Sequence, residues 1–221
     1  MKISLLRWLQ LLAFLGMTVA LNGCGETVNT NDKEKKVLPT IEAKIGDTWD
    51  EAIQHSTFKL GPLPTPVGFV TDQPHTFIYR DPHHRMQLDN VGYMNVNVGY
   101  GHTTIRSFGI GVYRQSAETD ETWRRLQDIA RQMEQAGWIL DDEMNKHNPV
   151  SKSADQLRKK YINLPGGAQG VQKIWYDDYG NEAWVLLAKT ITGHEPGEEP
   201  RFNVVLQIQV ALHPKKSNGQ K

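Results

Sequence analysis

The sequence predicts an α+β domain in which an antiparallel sheet of about six strands packs with two or three helices. Three features point there. Apolar residues alternate with polar or small ones in Met94, Val96, Val98 and Tyr100, in Phe108, Ile110 and Val112, and in Phe202, Val204, Leu206, Ile208, Val210 and Leu212. A period of two is that of a strand with one face against a core. In the middle of the chain Trp123, Leu126, Ile129, Ala130 and Met133 recur at spacings of three and four, the period of a helix with one buried face. Between these runs lie Gly-, Pro- and Asp-rich breaks, which mark turns.

Taken in order, the first element is a short helix over 48–57, with Asp47 as N-cap, Asp50 and Glu51 in its first turn, and Trp49, Ala52 and Ile53 along one side. Gly61-Pro62-Leu63-Pro64-Thr65-Pro66 cannot continue it and has too few amide donors for an interior strand, so it reads as an extended loop. Residues 76–114 read as strands, with Gly99-Tyr100-Gly101-His102 as the turn of a hairpin. The helix over 121–136 takes Asp120 as its cap and Gly137 as its stop, and Trp138-Ile139-Leu140 returns the chain to the sheet. A smaller helix over 154–162, capped by Ser153 or Ser151, ends before Pro165-Gly166-Gly167. Lys173 to Tyr176 and Glu182 to Lys189 then flank Asp177-Asp178-Tyr179-Gly180-Asn181, a hairpin sequence, and the last alternating strand follows. Two halves, each a helix before three strands, are one way to group these elements, and Asp47-Thr48-Trp49 beside Glu121-Thr122-Trp123 invites that comparison.

The N-terminus has a basic start with Lys2 and Arg7, an apolar stretch from Trp8 to Leu21 interrupted by Gln10, and a small residue, Gly23, before the single cysteine, Cys24. This is the three-part pattern of an export signal, and it is shorter than the ~20 apolar residues needed to span a bilayer. Leu21-Asn22-Gly23-Cys24 resembles the lipobox of bacterial lipoproteins. The resemblance covers residues 1–25 and implies cleavage before Cys24 and acylation of its thiol. By analogy with Gram-negative lipoproteins, Gly25 implies transfer to the outer membrane, with the protein on its periplasmic face. Two or more acyl chains hold firmly where one binds only marginally. The organisation expected is then a cleaved signal over 1–23, an acylated N-terminus and polar tether over 24–44, a globular domain over 45–213 and a tail over 214–221.

Composition excludes several functions. Removing Lys2 and Arg7 with the signal leaves 23 basic and 25 acidic residues, with no basic excess or stripe for nucleic acid. Eight histidines are scattered, without the helical i, i+4 pair of a zinc site. Asp81-Pro82-His83-His84 is the best metal or acid/base candidate among them, and a polar turn is its simpler reading. No Gly-x-Ser-x-Gly elbow, phosphate loop or free catalytic thiol is present. Asp141-Asp142-Glu143 and Asp177-Asp178 read as solvated turns. No cofactor, metal or catalytic residue is therefore expected.

Recognition of another protein is the function expected, with contacts at hairpin tips: Tyr100 and His102 on one, Asp178 and Tyr179 on the other. Tyrosine and tryptophan bring large contact area at low ordering cost. Tyr79, Tyr93, Tyr113, Trp175, Tyr176 and Trp184 also fall on or beside strands and read mainly as core. The layout of lipobox, polar tether and one α+β domain is similar to that of periplasmic immunity lipoproteins, which neutralise toxic effectors of contact-dependent secretion systems. That similarity is architectural and transfers no residue. An assembly or scaffold lipoprotein of an envelope or secretion complex shares the layout, and a periplasmic hydrolase with an unrecognised site is the third alternative.

Overall fold

In the computed structural model residues 37–63, 68–99, 101–147, 151–191 and 197–211 are described, and all lie in one compact unit. Cys24, Tyr100 and the tail over 214–221 fall outside the described residues.

Among the described residues the fold is α+β, with a large antiparallel sheet, a smaller sheet and four helices. The strands are β1 (Thr40–Ala43), β2 (Gly68–Thr71), β3 (His75–Tyr79), β4 (Met86–Val91), β5 (Tyr93–Asn97), β6 (Ser107–Gly111), β7 (Ala117–Glu118), β8 (Ile139–Leu140), β9 (Gln169–Tyr176), β10 (Asn181–Lys189) and β11 (Arg201–Val210). The helices are α1 (Trp49–His55), α2 (Thr119–Gln135), α3 (Asp142–His147) and α4 (Ala154–Tyr161). The large sheet has eight strands in the order β2-β5-β6-β11-β10-β9-β8, with β7 paired beside β11. The small sheet has the order β1-β3-β4, with β1 parallel to β3.

Read from its centre, the large sheet repeats itself. β6, β5 and β2 run outward on one side and β11, β10 and β9 on the other, and β6 and β11 meet antiparallel. Each set of three follows a helix, α1 or α2. The first half carries β3 and β4 as an addition, and the second carries β8, α3 and α4.

Alternation decides which face is dry. Met94, Val96, Phe108, Ile110, Leu206, Ile208, Ala183 and Val185 form one buried face, and against it pack Phe77 and Tyr79 of the small sheet and Leu126, Ile129, Ala130 and Met133 of α2. Phe77 and Phe108 meet at 5.3 Å between ring centroids. A fully buried side chain of this size contributes about 1.5–3 kcal/mol. The other face carries Asn95, Asn97, Gln207 and Gln209 with Tyr93, Trp184, Leu186 and Val205. Its glycines make room for neighbouring side chains: a Cβ added at Gly109 would stand 3.2 Å from Gln207 Oε1, and one at Gly111 would stand 3.1 Å from Tyr93 Cβ.

Several expectations need correction. The ordered domain begins before residue 45: Ile41 and Ala43 of β1 are buried in the core, so the tether cannot run to 44. The cap of α1 is Thr48, which accepts from the Glu51 amide at 3.2 Å while Glu51 accepts from the Thr48 amide at 2.7 Å. This reciprocal capping box displaces Asp47, whose carboxylate is taken by Arg80. At α2 the cap position is Glu118, which makes no side-chain cap bond, and Asp120 lies inside the first turn. Glu199 reaches across from the chain before β11 and accepts from the Thr119 amide instead, at 3.2 Å. Asp141-Asp142-Glu143 opens α3 rather than a turn, with Asp141 accepting from the Met144 amide at 3.0 Å. Of the two caps expected for α4, Ser153 is the one used, accepting from the Gln156 amide at 3.2 Å. Trp123 is only partly buried.

Candidate functional site

The strand register brings the two hairpin tips to one end of the large sheet. Asn97 pairs with Ser107, Ser107 with Gln209, Gln209 with Glu182, and Glu182 with Tyr176. These residues form one row across five strands, and each tip lies just beyond it. β6 and β10 flank β11, so the inner strands of the two hairpins stand roughly 10 Å apart. The loops after β1 and β3 reach the same end: the amide of Gly46 donates to Ile105 O at 3.0 Å, and Ile105 N donates to Asp47 O at 2.7 Å.

The β5–β6 tip is long and tied at its base. Ile105 is fully buried, and Arg106 N donates to Asn97 O at 2.7 Å. The Gly99 amide donates to Asn97 Oδ1 at 2.6 Å, and Gly99 turns the chain with φ of +80°, a conformation side chains disfavour. His102 is exposed and its ring lies against Gly99, where a Cβ would stand 3.1 Å from Cδ2.

The β9–β10 tip is tight, and Asp177 holds it from inside. Asp177 is buried, its Oδ1 accepts from the amides of Tyr179 at 2.9 Å and Asn181 at 2.8 Å, and its Oδ2 accepts from Asn181 Nδ2 at 2.7 Å. A carboxylate spent on three donors is a structural group rather than the solvated residue the sequence implies. Its neighbours face outward: Asp178 is 69% exposed and Tyr179 is 61% exposed.

Beneath that tip lies an ordered polar floor. Arg80 grips Asp47 through two contacts of 3.0 Å, and the Lys44 amide donates to the same carboxylate at 2.8 Å. Burial pushes the Asp47 carboxyl up, against the lowering effect of the Lys44 amide and Arg80. Asp81 is buried, accepts from the amides of His83 at 2.9 Å and His84 at 3.2 Å, and meets Lys44 Nζ at 3.7 Å. The Tyr79 hydroxyl is pushed far above its usual range by burial first, then by Asp177 and, after the lowering effect of the Ile45 backbone, by Asp81. His84 is 2% exposed, with Trp138 at 5.7 Å and Tyr179 edge-on at 6.1 Å.

Tyr179 is exposed at a hairpin tip, as the sequence leads one to expect, and Asp178 and His102 are exposed as well. Nothing in the sequence connects Asp178 and Tyr179 to His84 and Trp138. Gly137 makes that junction possible: its φ of +81° ends α2, and a Cβ there would crowd His83 O at 3.2 Å and His84 Nδ1 at 3.3 Å. Among the described residues no group of three His, Cys, Asp or Glu side chains, that of Asp81, His83 and His84 included, is placed to hold a metal ion. Tyr79 and Trp175 are core residues, and Tyr93, Tyr113, Tyr176 and Trp184 are partly buried. No described helix is long and apolar enough to cross a membrane. Comparison with protein-family models, with curated proteins and with solved structures finds no match to this chain.

Proposed function

We propose that this chain is a periplasmic lipoprotein, anchored to the outer membrane through acylated Cys24, that binds another protein as an immunity or inhibitor protein for a toxic secreted effector. The observation that carries this reading is the β9–β10 turn, where a buried carboxylate, Asp177, fixes a rigid tip that presents Tyr179 to solvent. A rigid aromatic anchor loses little freedom when it enters a pocket of a partner. The second tip, with His102, stands beside it on the same end of the sheet and widens the contact. A membrane anchor would hold this end at high local concentration where an envelope-attacking effector acts.

The experiment is to solubilise the full-length protein from membranes of its own cells, identify what co-purifies in stoichiometric amount, and express that partner in the periplasm alone. The reading expects a partner that arrests growth, with growth restored when this protein is co-expressed. A partner that is a component of envelope machinery and is harmless alone would replace inhibition with a scaffold role. The absence of any stoichiometric partner would sink both.

A further inference from the structure

His84 is buried beside the β9–β10 turn, with Nε2 3.7 Å from Asp178 Oδ2. Its Nδ1 lies 3.2 Å from Ala136 O. A carbonyl only accepts, so Nδ1 carries the hydrogen. In the neutral ring Nε2 is then a bare acceptor, and it makes no hydrogen bond while facing Asp178 Oδ2 at 3.7 Å. Two acceptors are opposed. Protonation turns Nε2 into a donor aimed at a carboxylate and leaves the bond to Ala136 in place. Ala136 is the C-cap of α2, where the unpaired carbonyls of a helix favour a cation.

The groups around the ring have the matching sign. The β9–β10 turn brings Asp178 and, behind it, Asp177, with the Tyr179 ring edge-on. The β3–β4 loop brings Asp81, whose carboxylate accepts from the His84 amide and which meets Lys44 from the loop after β1 at 3.7 Å. From α2 and the residues after it come the Ala136 carbonyl and the Trp138 ring.

We infer that His84 is a pH-sensitive latch, which on protonation pulls Asp178 inward and tightens the turn that carries Tyr179. The latch stands on geometry alone and holds whether or not Tyr179 meets a partner. As pH falls the turn closes more firmly, and as pH rises Asp178 is released to solvent.

Hydrogen exchange of the full-length protein in detergent tests this between about pH 7.5 and 5.5, with rates corrected for intrinsic exchange. The amides of Tyr179, Gly180 and Asn181, all bonded to Asp177, report opening of the turn. Their protection is expected to rise about three- to tenfold at the lower pH, the range of an ordinary net hydrogen bond, since Asp178 is largely exposed. Asp178→Asn, at an exposed position, keeps the fold and loses that rise, and His84→Gln loses it too where it folds. Unchanged or reduced protection of the wild type at low pH would overturn the latch, as would a rise that persists in Asp178→Asn.

Discussion

β3 begins with one buried histidine and leads at its far end to another, and the two have different surroundings. His75 is fully buried, its Nδ1 is 2.7 Å from Gln73 O, its ring is 5.6 Å from Phe58, and Nε2 has no partner. Burial therefore pushes its pKa down, against the raising effect of the Gln73 carbonyl. His84 is buried as well, but faces a helix C-terminus and the Asp178 carboxylate. Burial alone does not assign a role to a histidine. The first end of the strand is a closed core corner, and the second is a polar floor beneath exposed tips.

The largest expected effect is at the second end. Trp138 is 3% exposed and packs at a tilt between Tyr79 and His84, so Trp138→Ala should lower unfolding free energy by about 3–5 kcal/mol in urea titration. A loss below about 1 kcal/mol would mean that the floor is not packed as described. Asp177→Ala comes next. It strands the amides of Tyr179 and Asn181, and should cost about 1–3 kcal/mol while raising exchange in the turn.

Acid separates the two histidines. With its folded-state pKa depressed, His75 resists protonation while the unfolded chain binds the proton, so stability is present above the unfolded value and is lost as pH falls through it. One such proton gives a slope of at most about 1.4 kcal/mol per pH unit below about pH 6.5. Replacing the ring by His75→Gln should flatten the decline, measured as the urea midpoint against pH relative to wild type. An equally steep decline in the variant would move the acid sensitivity elsewhere. The smallest effect on stability is at the tip itself: Tyr179→Ala should shift the unfolding free energy by less than about 0.5 kcal/mol, as surface changes do, yet weaken partner binding by about tenfold or more if Tyr179 is the anchor.

What was legible follows from periodicity. β6, β11 and α2 announce themselves because each repeats apolar residues at its own period, and the β9–β10 turn does so through Asp177, Tyr179 and Gly180. β1 was hidden because Thr40 to Ala43 offers two apolar residues after a polar tract and pairs with a strand more than 30 residues away. α3 was hidden because its six residues, rich in charge, have no apolar stripe. At the site, Tyr179 and Asp178 could be read from turn chemistry, whereas His84 could not. Its surroundings come from Ala136, Trp138 and Asp178, which are remote in sequence and meet only because the turn between β9 and β10 lies beside the C-terminus of α2.

Contact between the tip end and a protein is read out in living cells by a photo-crosslinking amino acid placed at 179. A second copy at Leu164, which is 40% exposed in the turn after α4, serves as the control. One dominant adduct of defined mass is expected from position 179 and none from position 164. No adduct at 179, or the same adducts from both positions, would contradict it.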